Sequence, residues 1–88
     1  MQPPTTPMTA ETHWDIEIDA RGLLCPLPVL KARKRLVSMA TGQTLRLLAT
    51  DPAAVIDVPH FCTQSGHLYL GAEDLTEGTA YLIRAKSA

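Results

Sequence analysis

The apolar residues of this chain change period over a short stretch, and the residues at the change leave the backbone few options. Residues 14–20, WDIEIDA, alternate: Trp14, Ile16 and Ile18 fall on one side and Asp15, Glu17 and Asp19 on the other, the pattern of a half-buried strand. From Pro26 to Ala40 the spacing becomes helical. Val29, Ala32, Leu36, Met39 and Ala40 share one face, Leu30 and Val37 stand at its margins, and Lys31, Lys34, Arg35 and Ser38 lie mostly opposite. Arg33 is intermediate and can snorkel. Between the two patterns Arg21–Gly22 turns the chain, and Cys25-Pro26-Leu27-Pro28 opens the helix. Pro26 suits the first helical position and Pro28 the first turn, because neither place requires an intrahelical N–H donor. Gly42, in Thr41-Gly42-Gln43, is the natural left-handed residue to end this helix.

The remaining chain extends the alternation of strands and helices. QTLRLLAT, residues 43–50, reads as a strand with Leu45 and Leu47 on one face. Asp51 is a good N-cap with Pro52 behind it, predicting a helix through about Asp57. Pro59 predicts a break or kink, with a second short helical segment from His60 to near Gly66. HLYLGAED, LTEGT and AYLIRAK then read as strand, turn and strand. The order β-α-β-α-β-β predicts an α/β (α+β) fold, a two-layer sandwich whose two helices cover one face of a mixed four-stranded sheet. The first two strands should be parallel through a right-handed crossover, and the last two an antiparallel hairpin. One sheet face is then left to solvent. Residues 1–13, rich in Pro and Thr, are expected to be a flexible tail on a single domain spanning 14–86. Aromatic residues are only 5% of the chain, so Leu, Val, Ile and Ala must build the core.

The charge distribution narrows the choice of partners. The formal net charge of -1 excludes a dedicated polyanion binder of histone or ribosomal type. That average conceals a basic element, since Arg21, Lys31, Arg33, Lys34 and Arg35 occur without an acid between residues 21 and 39. The run KARKR is either a solvated helical face or a docking surface for an acidic partner. It lacks the aromatic residues that stack on bases, so direct sequence-specific nucleic-acid binding is not expected. No membrane span and no signal peptide are evident, and two cysteines do not form a disulfide framework. The expected location is the reducing cytoplasm.

Cys25 is the residue that carries chemistry. At the start of a helix, free N–H groups and the positive end of the helix dipole favour a thiolate, and Arg21 is close enough in sequence to add positive potential. Pro26 and Pro28 would hold the sulfur in place, while Leu24 and Leu27 would keep one side of it dry. Such a site suits transfer between sulfurs, which needs an accessible, partly ionised cysteine and a partner surface but no oxyanion hole or metal. The bland alternative is a buried, structural Cys25. Cys62, beside Phe61, reads as a core cysteine, and with no C-x-x-C a dithiol mechanism lacks a resolving partner. His60, Cys62 and His67 match no standard zinc spacing, so no metal is expected, and no cofactor loop is present. Without a base or a pocket, independent turnover of a small molecule is not expected either.

These residues bring a family resemblance. WDIEIDARGLLCPLPVLKARKRL, GQTLRLLATDPAAVIDVPHFCTQSGH and YLIRA resemble the TusA/SirA-like sulfur-carrier family, with Leu23-Leu24-Cys25-Pro26-Leu27-Pro28 as the signature segment. The resemblance implies the two-layer sandwich, and it implies that Cys25 accepts sulfane sulfur as a persulfide and passes it on. The implied donors are cysteine desulfurases or rhodanese-like proteins, and the acceptor is a downstream protein. tRNA thiolation, molybdenum-cofactor supply and sulfur oxidation are the pathways such carriers serve. Leu27 and His60 stand where a tRNA-thiolation member has an acidic residue and a glycine, and Leu27 makes the rim more apolar, which would alter partner choice. Lys31, Lys34 and Arg35, with Leu24 and Leu27, are then the expected partner-docking residues, and Cys62 is structural. The different-class alternative is a non-catalytic interaction or regulatory module that uses the basic helix 26–40.

Overall fold

The computed structural model describes residues 13–86; apart from His13, the predicted tail lies outside the described residues. The elements follow the predicted order: β1 (Ile16–Asp19), α1 (Leu27–Val37), β2 (Thr44–Ala49), α2 (Ala54–Ser65), β3 (Leu68–Leu75) and β4 (Gly78–Arg84). They form a four-stranded mixed sheet in the order β1-β2-β4-β3. β1 runs parallel to β2, and β4 is antiparallel to both β2 and β3.

The alternation seen in the sequence sets the register. Ile16 pairs with Leu45 and Ile18 with Leu47, while Leu45 and Leu47 face Ile83 and Tyr81 across β4. This row meets Ala32 and Leu36 of α1 and Ala54, Val58 and Cys62 of α2, so both helices cover one side of the sheet. Tyr81 is the largest buried side chain among otherwise small and branched aliphatic ones, as the shortage of aromatics requires. On the opposite side Glu17 pairs with Arg46 at 3.3 Å, and the Arg46 guanidinium lies 4.2 Å from the centre of the Trp14 ring. Leu48 and Ala80, facing each other on that side, are buried, while Glu17 of β1 and the exposed Glu73 of β3 flank them.

Helix boundaries depart from expectation: α2 begins at Ala54 with Ala53 as its N-cap, two residues after the predicted Asp51 cap. α1 stops at Val37, because Ser38 and Met39 donate to carbonyls three residues back and tighten the last turn. Gly42, at φ 94°, therefore turns the chain into β2 after the helix has already ended. α2 runs through Pro59 as one helix, without the predicted break. A proline at this position removes only the bond to the Val55 carbonyl, and Val55 is on the exposed side of the helix, where water can replace it. In the β3–β4 hairpin Gly78 takes the left-handed conformation at φ 105°, and a Cβ there would stand 2.6 Å from the Ala49 carbonyl oxygen.

Candidate functional site

Because β1 and β2 are parallel, the segments that follow them leave the same edge of the sheet. The start of α1 and the start of α2 are thus neighbours, and Cys25 lies between them. The Cys25 N–H donates to Asp51 Oδ2 at 2.6 Å, and Asp51 Oδ1 accepts the Ala53 N–H at 3.2 Å. One carboxylate therefore ties the cysteine loop to the first turn of α2. The Gly22 N–H adds a second tie, to Thr50 Oγ1 at 2.9 Å.

Cys25 is exposed and its thiol is free. It lines a groove of about 320 Å³ between the helices, together with Pro26, Val29, Leu30 and Arg33 of the α1 side and Asp57, His60, Phe61 and Gln64 of α2. Pro26 is the N-cap of α1 rather than its first helical residue, and the Cys25–Pro26 peptide bond is cis. Pro28, in the first turn, is fully buried and acts as a core side chain as well as a backbone restraint.

The electrostatics correct the expectation of a thiolate. The Cys25 pKa is raised above the ordinary thiol value, first by the polar interaction with the nearby Asp57 carboxylate, then by desolvation and by the charges of Asp57 and Asp51. The helix start offers little to oppose them. Pro26 and Pro28 have no N–H, and the Leu27 N–H is taken by the Leu24 carbonyl at 2.8 Å. The dipole end amounts to about half a charge, against two whole carboxylates. Arg21 does not help, because its guanidinium is bonded to both oxygens of Asp19 at 2.9 Å and leans toward Glu77 at 3.9 Å. Its bonds to Asp19 hold that carboxyl down to about 2.

The other predicted residues are dispersed around the site. Lys31, Lys34 and Arg35 line a separate groove of about 380 Å³ with Ile18 and Ser38, away from the sulfur. Leu24 and Leu27 are exposed, and the apolar wall beside Cys25 is made instead by Val29, Leu30 and Phe61. Cys62 is 1% exposed, and burial pushes its thiol up to about 11. His60, Cys62 and His67 have three different uses. His60 lines the groove, Cys62 packs in the core, and His67 Nδ1 accepts the Lys86 N–H at 3.0 Å.

Asp51, Asp57 and Arg33 are the site residues that sequence reasoning missed. The signal for the two acids was present: a second helix start in a β-α-β-α order, on parallel strands, must sit beside the first.

The chain resembles known proteins in sequence and in fold. The family model described as Sulfurtransferase TusA matches residues 16–85. The chain is 50% identical over 71 residues to a sulfur carrier protein TusA of Allochromatium vinosum, covering 81% of this chain and 93% of that one. The crystal structure of a SirA-like protein from Desulfitobacterium hafniense shares the fold. It superposes with a TM-score of 0.71 at 24% identity, over 83% of this chain and 100% of that chain. With nearly every described residue inside the matched range, and the signature cysteine exposed where its two helices begin, the chain belongs to the TusA sulfurtransferase family.

Proposed function

We propose that this protein is a sulfur carrier that takes sulfane sulfur on Cys25 and passes it to an acceptor protein. The observation that carries the reading is an exposed, unpaired Cys25 thiol in an open groove, on a chain half identical to a sulfur carrier. The Cys25 sulfur attacks the outer sulfur of a donor persulfide. The donor's S–S bond breaks with its electron pair on the donor cysteine, and Cys25 becomes Cys–S–SH. An acceptor cysteine then attacks that outer sulfur and regenerates the Cys25 thiol. Donor persulfide plus thiol gives donor thiol plus carrier persulfide, so no external oxidant or reductant is needed.

An open groove favours delivery from a protein over capture of a free small molecule. A cysteine desulfurase or a rhodanese-like protein fits the role of donor in the cytoplasm. Lys31, Lys34 and Arg35 would dock acidic partner surfaces in the groove beside β1, and the exposed Leu24 and Leu27 would complete the rim. Cys62, buried in the core, takes no part in the relay. An exposed Cys25 distinguishes this protein from a module that uses the basic helix alone, in which the cysteine would be packed away.

Incubation with a cysteine desulfurase, L-cysteine and pyridoxal phosphate, or with a persulfidated rhodanese, followed by intact mass, tests the reading. One added sulfur, about 32 Da, that disappears with a thiol reductant and is absent from Cys25→Ser supports it. No gain from either donor refutes it.

A further inference from the structure

Sulfur uptake removes a proton from Cys25, and the groove contains a group placed to receive it. We propose that the Asp57 carboxylate is the proton acceptor for Cys25 during persulfide uptake, a role that rests on the carrier reading above.

Three charged or titratable side chains line the groove beside Cys25: Arg33 from α1, and Asp57 and His60 from α2. Asp51 approaches from the segment before α2, but both of its oxygens hold backbone N–H groups, of Cys25 and Ala53. Asp57 differs in two ways. It lines the same groove as the Cys25 thiol and is the first cause of that thiol's raised pKa. Among the described residues, its side chain is in no ion pair and in no hydrogen bond to a nitrogen or oxygen donor. α2 fixes its position, since Asp57 sits one turn into the helix with its N–H on the Ala53 carbonyl at 2.9 Å.

The step is balanced without an outside reagent. As the Cys25 sulfur forms its bond to the outer sulfur of the donor persulfide, the thiol proton moves to Asp57. The donor S–S bond breaks, and its electron pair leaves on the donor cysteine. Asp57 then returns the proton to that thiolate, directly or through water. The groove returns to its starting charge, and the carboxylate is ready for the next exchange.

The same carboxylate has two opposed effects, and these make the proposal testable. At rest its negative charge keeps Cys25 a thiol, which suppresses reaction with reagents that need the thiolate. During uptake it assists by removing the proton. Asp57→Asn separates the two, because an amide neither carries the charge nor accepts the proton. With a cysteine desulfurase charged by L-cysteine, Asp57→Asn is expected to load sulfur about tenfold more slowly or worse. Its alkylation by iodoacetamide at neutral pH should become faster. Asp57→Glu should recover part of the loading rate, and His60→Gln should lose less of it than Asp57→Asn.

Loading by Asp57→Asn that keeps pace with its faster alkylation would overturn the proposal, since the carboxylate would then only be a brake. So would a loss of loading in His60→Gln that matches or exceeds the loss in Asp57→Asn. A wild type that acquires no sulfur refutes the carrier reading itself, a result distinct from both.

Discussion

Cys62 offers a test of how the core treats an ionisable group, and its magnitude follows from burial alone. Its thiol is 1% exposed, in the core cluster that also holds Val58, Leu47 and Tyr81, and lack of water raises its pKa from 9.0 to about 11. The folded protein therefore holds this proton more tightly than the unfolded chain. The resulting stability is complete below the unfolded value near 9 and is lost as pH rises through 11. With those two values, linkage removes about 1.4 kcal/mol at pH 10 and about 2.3 kcal/mol at pH 11. Other groups also titrate in this range, so the informative quantity is the difference between wild type and Cys62→Ala. Urea unfolding at a series of pH values from 7 to 11 measures it. At neutral pH Cys62→Ala should be the less stable of the two, having lost a buried side chain. The gap should close by about 2 kcal/mol at the alkaline end. Stability curves that run parallel across the whole range would refute the reasoning, because the folded and unfolded chains would then bind the Cys62 proton equally well.

Two further outcomes concern the site. Asp51→Ala leaves the Cys25 and Ala53 N–H groups without their acceptor, and loss of these two charge-assisted bonds costs about 1–2 kcal/mol, a fall in melting temperature of about 5–15 °C for a domain of this size. Asp51→Asn, which keeps one acceptor oxygen, should fall between Asp51→Ala and wild type, and an unchanged melt for Asp51→Ala would show that the tie contributes nothing. Charge reversal at Lys34 and Arg35 should slow sulfur transfer from the donor protein, with the deficit shrinking as salt is raised. Alkylation of Cys25 should stay at the wild-type rate, since those side chains line a different groove; a deficit independent of salt would remove them from partner docking.

The fold was largely legible along the chain because its rules are local. Alternation in WDIEIDA, the helical spacing after Pro26 and the glycine-led turns each depend on a few neighbouring residues, and each corresponds to an element. The misread break at Pro59 has a non-local cause. Whether Pro59 breaks α2 depends on which side of the helix its unpaired carbonyl faces, and that is settled by packing. The position of Pro28 is another case: it was read as a backbone restraint, but it also fills space beneath α1.

The site divides along the same line. The sequence by itself determined that Cys25 stands where a helix begins, next to two prolines, in a chain with one basic segment. Only the tertiary structure decided what charge the sulfur meets. Asp51 and Asp57 lie far along the chain from Cys25, yet parallel β1 and β2 bring them to the same edge of the sheet. Arg21, four residues away, is turned aside by Asp19. A pattern of apolar spacing survives any change of distant neighbours, whereas a pKa is a sum over charges within a few ångströms, and folding chooses which charges those are.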